Sequence, residues 1–91
     1  MATPIVRYVL TEHARFEIGR RRLDDATIDA VLRNPEQREL VRPGREVLQS
    51  RLEIQERTCL VRVFVDTDRD PAEVVTAYRT SKVDKYWRPE P

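Results

Sequence analysis

The chain has few of the residues that build metal sites or phosphate-binding loops. Its 91 residues include one histidine, one cysteine and two glycines. A zinc site needs several nitrogen or sulfur ligands, so one residue of each type excludes it. The alternating acids at 66–70 lack the glycine and bidentate acid of a calcium loop, which favours a solvated hairpin loop. With only Gly19 and Gly44, the chain has no glycine-rich phosphate loop. We therefore expect neither metal nor cofactor.

Long apolar stretches and cysteine pairs are also missing. No run approaches the roughly 18 apolar residues of a bilayer span, and residues 1–7 lack the apolar core of a signal peptide. A single cysteine allows no internal disulfide. Cys59 alternates with valines in a strand pattern, which favours a small buried side chain over a nucleophile. We expect a cytoplasmic protein that does not contact a membrane.

Charge of both signs is plentiful and nearly balanced. Seventeen lysines and arginines against sixteen aspartates and glutamates give a net charge of +1. This balance does not by itself indicate nucleic-acid binding, which requires a basic face. The cations are concentrated in the first quarter and at the end of the chain, whereas acids are concentrated at 66–73. A local positive surface forms if the two basic ends meet in space.

The residue pattern predicts one α+β domain over residues 1–91 with loosely ordered termini, because a chain this short supports one core. It indicates a strand at 7–10, a helix capped by Thr11 that ends near Gly19, and a helix over about 25–33. Alternation then predicts strands at 39–42, 46–54, 58–65 and 73–80, with a type II turn at 42–45. The order is β-α-α-β-β-β-β, with two N-terminal helices packed on one face of an antiparallel four-stranded sheet. The strand at 58–65 is apolar on both faces and should be central.

The only histidine lies in the first turn of the first predicted helix. Histidine exchanges protons near neutral pH, so His13 is a candidate general acid or base. The free N–H groups of the helix start would favour an adjacent anion. The alternative is a polar first-turn residue bonded to the neighbouring backbone, and the residue types leave both interpretations open.

Basic and aromatic residues alternate at the end of the last predicted strand and after it. Arg79 can bind a phosphate bidentately, and Tyr78 and Tyr86 can stack on bases or donate a phenolic proton. Lys82 and Lys85 add positive charge. The alternative is a solvated edge strand and tail, in which cations discourage aggregation.

Two further arginines are candidate substrate ligands. Arg45 and Arg51 lie on predicted strands of the meander, which can place them on one sheet face with Arg79. Arg51 shares its face with Gln49 and Glu53, which favours a structural role at the solvent-facing surface.

Several motifs together resemble a known family. They are Tyr8-x-Leu10-Thr11-x-His13-Ala14, Asn34-Pro35-Glu36, Val75-Thr76-x-Tyr78-Arg79 and Lys85-Tyr86-Trp87. With an arginine-rich helix end and a Gly44-Arg45 hairpin, they resemble the bacterial domain-of-unknown-function family numbered 4258 over nearly the whole chain. Such domains are similar to the RelE, ParE and BrnT toxin nucleases, within the barnase-EndoU-colicin-RelE type of fold.

The resemblance implies a small metal-independent endoribonuclease, the toxin of a toxin–antitoxin pair, which cleaves RNA by acid/base catalysis. Expected partners are RNA, free or on the ribosome, and an antitoxin protein. The hypothesis assigns catalysis to His13, Arg79, Lys85 and Tyr86, and substrate binding to Arg45, Arg51, Thr76, Tyr78 and Lys82. The low net charge and the lack of a second histidine leave an alternative, which is a catalytically inactive RNA- or protein-binding module of the same fold.

Overall fold

The chain folds into a mixed α+β domain with a five-stranded sheet. The structure is a computed structural model and describes residues 2–89. Its elements are β1 (Tyr8–Leu10), α1 (Glu12–Arg20), α2 (Asp25–Arg33), β2 (Gln37–Arg42), β3 (Arg45–Ile54), β4 (Arg57–Asp66), β5 (Ala72–Thr80) and α3 (Val83–Tyr86). The strands lie in the order β1-β5-β4-β3-β2. Among residues 2–89, no helix has the length and hydropathy that a bilayer span requires.

The prediction of a four-stranded antiparallel sheet was wrong about β1. This strand joins the sheet edge in parallel with β5, from Tyr8 opposite Ala72 to Leu10 opposite Val74. The remaining strand pairs are antiparallel. A strand of three residues carries little alternation, and its partner lies at the other end of the chain. The pattern therefore indicated a strand and gave no pairing for it.

Side-chain caps explain where the two long helices begin. The Thr11 hydroxyl accepts a hydrogen bond from the Ala14 N–H at 3.0 Å, and the Asp24 carboxylate accepts one from the Thr27 N–H at 2.8 Å. Each cap satisfies an N–H group that has no partner within the helix. The predicted span of α2 is confirmed, and α1 extends one residue beyond Gly19.

The turns at the two ends of β3 use positive φ angles. Gly44 has φ of 84°, as the third position of the predicted type II turn requires, and a Cβ there would lie 2.7 Å from Asp68 Oδ2. At the other end, Gln55 and Glu56 have φ of 52° and 63°. These two residues form the tight connection between β3 and β4 without the glycine that such angles favour.

The core lies between the sheet and the two long helices. The α1 residues Ala14 and Ile18 and the α2 residues Ile28, Val31 and Leu32 are buried in one cluster with the sheet. The sheet contributes Leu48, Val61, Val63, Val65, Val74 and Ala77, among others. Since β4 lies between β3 and β5 and its valines are fully buried, its predicted central position is confirmed. Cys59 is also buried, as expected.

The opposite sheet surface, which we call the open face, carries polar and aromatic side chains. Arg62 pairs with Gln49 on β3 and with Tyr78 on β5, so these three side chains share this face. Phe64 pairs with Val47 and Thr76 and lies on it as well. Neither long helix contributes its apolar stripe to this surface, because the core residues alternate with the open-face residues along each strand.

Residues 82–89, which we call the C-terminal segment, cross the open face from β5 towards β2. The Gln49 amide donates a hydrogen bond to the Tyr86 carbonyl at 3.2 Å, and the Gln37 amide donates one to the Arg88 carbonyl at 2.6 Å. The predicted tail therefore contains α3 and packs on the sheet. The N-terminal side is held by Ile5, whose N–H donates to the Leu32 carbonyl at 2.8 Å. The expectation of loose termini also covers Met1, Glu90 and Pro91, which lie outside the described residues.

Candidate functional site

Arg62 lies at the centre of the open face and contacts three aromatic rings. Its Nε donates to Gln49 Oε1 and its Nη1 to the Tyr78 hydroxyl, each at 2.8 Å. Its guanidinium carbon lies 4.5 Å from the centroid of the Tyr86 ring and 5.4 Å from that of Phe64. These contacts hold one guanidinium in a fixed orientation on the sheet.

Tyr86 is half-buried between two cations and a second tyrosine. Its ring meets Tyr78 edge-on at 6.1 Å between centroids, and Lys85 Nζ lies 5.3 Å from its own ring centroid. The Tyr78 hydroxyl, followed by the Lys85 ammonium and the Arg62 guanidinium, lowers the pKa of Tyr86, although partial desolvation opposes them. A phenol that ionises more readily beside two cations is suited to move a proton near a phosphate. We call Arg62, Phe64, Tyr78, Lys85 and Tyr86 the Arg62 cluster.

Arg51 holds the C-terminal segment in place. Its guanidinium carbon lies 3.9 Å from the Trp87 ring centroid, and its Nη2 lies 2.9 Å from Glu36 Oε2. The Arg51 hydrogen bonds lower the pKa of Glu36. A carboxylate therefore balances the charge of Arg51, and the structural role that its strand neighbours indicated stays a prediction.

Arg45 and Thr76, two predicted substrate ligands, already have partners within the protein. Arg45 binds Asp66 through two hydrogen bonds of 2.6 and 3.1 Å, which lower the pKa of Asp66. The Thr76 hydroxyl accepts a hydrogen bond from Arg21 Nη1 at 3.1 Å. Both contacts fasten elements of the fold to each other.

His13 in the first turn of α1 and Arg79 on β5 are far apart along the direction of that strand. The Thr11 N–H donates to the Val74 carbonyl, so α1 begins beside Val74. Arg79 is five positions further along the strand, about 16 Å at the rise of an extended chain. Its partner is Val61, so it lies on the core side of the sheet, opposite Tyr78. His13 is exposed, and its imidazole makes no hydrogen bond to any of residues 2–89.

The predicted site residues are therefore only partly brought together. Tyr78, Lys85 and Tyr86 meet on the open face, and Lys82 is exposed just before α3, where its N–H donates to Thr80 Oγ1. Arg62, which completes this group, was not predicted. Its signal was present in the sequence, since it is the single charged residue within the apolar run 58–65. A charge in a central strand requires partners on one sheet face.

Most arginines of the domain are paired with carboxylates, which makes the unpaired cations informative. Within residues 2–89, the cations with no carboxylate oxygen within 4.0 Å are Arg15, Arg22, Arg42, Arg57, Arg62, Arg79, Lys82 and Lys85. Arg62 and Lys85 therefore leave the open face with uncompensated positive charge. In the same part of the chain, no group of three or more acidic, histidine or cysteine side chains could hold a metal ion.

Comparison with known families identifies the domain type. The sequence profile described as "Domain of unknown function (DUF4258)" matches residues 10–82. The chain belongs to the DUF4258 family. The DUF4258 match includes Arg62 and Tyr78 and ends before Lys85 and Tyr86, so α3 lies outside it. No curated protein and no solved structure matches the chain. The likeness to RelE, ParE and BrnT toxins stays a prediction.

Proposed function

We propose that this DUF4258 protein is a metal-independent endoribonuclease whose site is the Arg62 cluster. The observation that carries the proposal is the juxtaposition of the half-buried Tyr86 ring with Arg62 and Lys85, neither of which has a carboxylate partner among residues 2–89. Aromatic side chains on a sheet face also suit RNA, because unpaired bases stack on them. Phe64 and Tyr78 are half-buried in this arrangement, and their rings are stacked with centroids 6.0 Å apart.

The cluster supplies each role that RNA cleavage by transesterification requires. The Tyr86 phenolate takes the proton of a ribose 2′-hydroxyl, whose oxygen then attacks the adjacent phosphorus. The bond from phosphorus to the 5′-oxygen breaks, and the Lys85 ammonium gives a proton to that leaving oxygen. Arg62 stabilises the negative charge that develops on the non-bridging phosphate oxygens. The products are a 2′,3′-cyclic phosphate and a free 5′-hydroxyl.

In this proposal His13 and Arg79 do not touch the reacting phosphate. The sequence hypothesis placed His13 as the acid/base and Arg79 beside it. The start of α1 beside Val74, five positions from Arg79 along β5, supports assigning the proton transfers to Tyr86 and Lys85. The roles of Arg45, Arg51 and Thr76 are structural in the same proposal, since each is bonded within the protein.

Expression in a bacterial host tests the toxin proposal. Induction without an antitoxin should arrest growth and leave cellular RNA cut, with 2′,3′-cyclic phosphate ends. Tyr86→Phe keeps the ring over Arg62 and removes the acid/base, so growth should recover. His13→Ala is the matched control and should remain toxic. Relief of toxicity by His13→Ala, with Tyr86→Phe still toxic, would restore the original assignment of His13.

A second candidate function is RNA binding without cleavage by the same open face. It is favoured by the carboxylate pairing of Arg45 and Arg51, which leaves few free cations for a transition state. The purified protein would then bind RNA with an affinity that falls as salt rises and leave it intact in either EDTA or magnesium. RNA cleavage that depends on Tyr86 would exclude this candidate.

A further inference from the structure

A cavity opens at the end of the sheet where the β3–β4 turn meets the end of β5. It has a volume of about 460 Å³ and is lined by Ile54, Gln55, Arg57, Cys59, Arg79, Thr80 and Ser81. The register places Arg79 on the core side of β5, so the cavity does not belong to the open face. It shares no residue with the Arg62 cluster.

Two arginines line this cavity without a balancing carboxylate. Neither Arg57 nor Arg79 has a carboxylate oxygen within 4.0 Å among residues 2–89, and none of the seven lining residues is acidic. Most other arginines among residues 2–89 are paired with a carboxylate, including Arg45 and Arg51 on β3. Two arginines that line a cavity without a carboxylate partner therefore favour the binding of an anion there.

The remaining lining residues add donors and a fixed frame. The Ser81 hydroxyl makes no hydrogen bond within the described chain, and the Thr80 hydroxyl accepts one from the Lys82 N–H. Gln55 and Glu56 hold the turn in left-handed backbone conformations, which non-glycine residues adopt at an energetic cost. Such backbone strain is often retained at functional sites, and Arg57 directly follows this turn.

We propose that this cavity binds a phosphate monoester, with Arg57 and Arg79 as its charge partners and Ser81 as a hydroxyl donor. A dianionic phosphate matches two guanidinium groups, each of which can donate two parallel hydrogen bonds. The volume lies within the usual range of small-molecule sites and exceeds what inorganic phosphate alone needs. The ligand chemistry is that of a terminal phosphate, on a free mononucleotide or at the end of an RNA strand. This inference does not depend on the proposed ribonuclease function.

Titrations of the full chain with adenosine 5′-monophosphate, adenosine and inorganic phosphate test the proposal. Binding is measured by calorimetry and located by backbone amide shifts in NMR spectra. We expect the monophosphate and phosphate to shift the amides of Arg57, Cys59, Arg79 and Ser81, and adenosine to leave them unchanged. Short RNA strands with and without a terminal phosphate distinguish the source, since the phosphorylated strand alone should compete. Binding of adenosine as tightly as the monophosphate would overturn the proposal.

Charge-neutralising variants test the assigned residues. Arg79→Gln and Arg57→Gln should each weaken monophosphate binding by about tenfold or more, because each removes a charged hydrogen-bond donor. Arg57 is exposed at the start of β4, so its variant keeps the test valid if Arg79→Gln disturbs folding. Arg15→Gln is the matched control on α1 and should bind the monophosphate as the wild type does. Equal affinity of Arg57→Gln, Arg79→Gln and Arg15→Gln would contradict the assignment.

Discussion

Replacing Arg21 by methionine should destabilise the domain far more than the same change at Arg20. Arg21 Nη1 donates to the Ala77 carbonyl at 2.8 Å and to Thr76 Oγ1 at 3.1 Å. β1 covers β5 only from Ala72 to Val74, so Arg21 takes the place of a neighbouring strand beyond that point. Its side chain is 32% exposed, whereas that of Arg20, which also pairs with Glu17, is 56% exposed.

The expected loss of unfolding free energy follows from the Ala77 carbonyl, which loses its hydrogen-bond partner. Leaving a largely buried acceptor unpaired and removing a charged hydrogen bond costs about 2 kcal/mol. For a domain of this size that lowers Tm by about 8–16 °C. Arg20→Met should change Tm much less, because exposed ion pairs contribute little. Arg20 is the last residue of α1 and Arg21 is its C-cap, and methionine keeps the apolar part of the side chain at both positions, so the comparison isolates the guanidinium.

Urea denaturation followed by circular dichroism measures both variants. A double-mutant cycle with Thr76→Val should give a coupling of about 0.5–1 kcal/mol between Arg21 and Thr76. Equal losses of unfolding free energy for Arg20→Met and Arg21→Met would refute the idea that Arg21 closes the edge of β5. Such a result would also mean that Arg21 does not hold the Thr76 hydroxyl.

Three further predictions concern other parts of the fold. Burial and the 2.6 Å hydrogen bond to Asp29 raise the pKa of Tyr8 to about 12. The protonated phenol of Tyr8 therefore stabilises the fold. This contribution is complete below pH 10, the ordinary tyrosine pKa, and is lost as the pH rises through about 12. Tyr8→Phe should lower the free energy of unfolding by about 1 kcal/mol at neutral pH, because partial exposure of the side chain reduces the full effect of the pKa shift. Urea titrations should also show that the variant loses less stability than the wild type at high pH. Arg22 follows α1 with φ of 57°, so Arg22→Gly should stabilise by about 1 kcal/mol, and a lower Tm would contradict this. Trp87→Ala removes the ring over Arg51 and should speed trypsin cleavage at Lys82 and Lys85, whereas an unchanged rate would mean that other contacts hold the C-terminal segment.

Local signals in the sequence were sufficient to predict the positions of most helices and strands. The span of α2 follows from a cap at Asp24 or Asp25, of which the structure uses Asp24, and from a stop at Asn34-Pro35, and both signals act within a few residues of the helix. The central position of β4 follows from its two apolar faces. The parallel pairing of β1 could not be predicted in this way, because it depends on a contact between the two ends of the chain.

The candidate site was harder to predict because it depends on strand register. Tyr78 and Tyr86 were found because they are close to the basic end of the chain. Arg62 joins them only through the pairing of β4 with β5, and a slip of one residue would place it on the core side. Register also sets the partner of Arg45 on β4. The separation of His13 from Arg79 likewise follows from where α1 begins along β5.

RNA cleavage by purified protein in EDTA is the most direct test of the role of Tyr86. The account predicts cleavage by the wild type, with a rate that rises with pH towards a midpoint below the ordinary tyrosine pKa of about 10. Tyr86→Phe should reduce the rate at least about a hundredfold, as expected for loss of a general base. Tyr8→Phe, which removes a hydroxyl elsewhere, should cleave at the wild-type rate. Intact RNA with the wild type, or equal rates for wild type and Tyr86→Phe, would contradict the account.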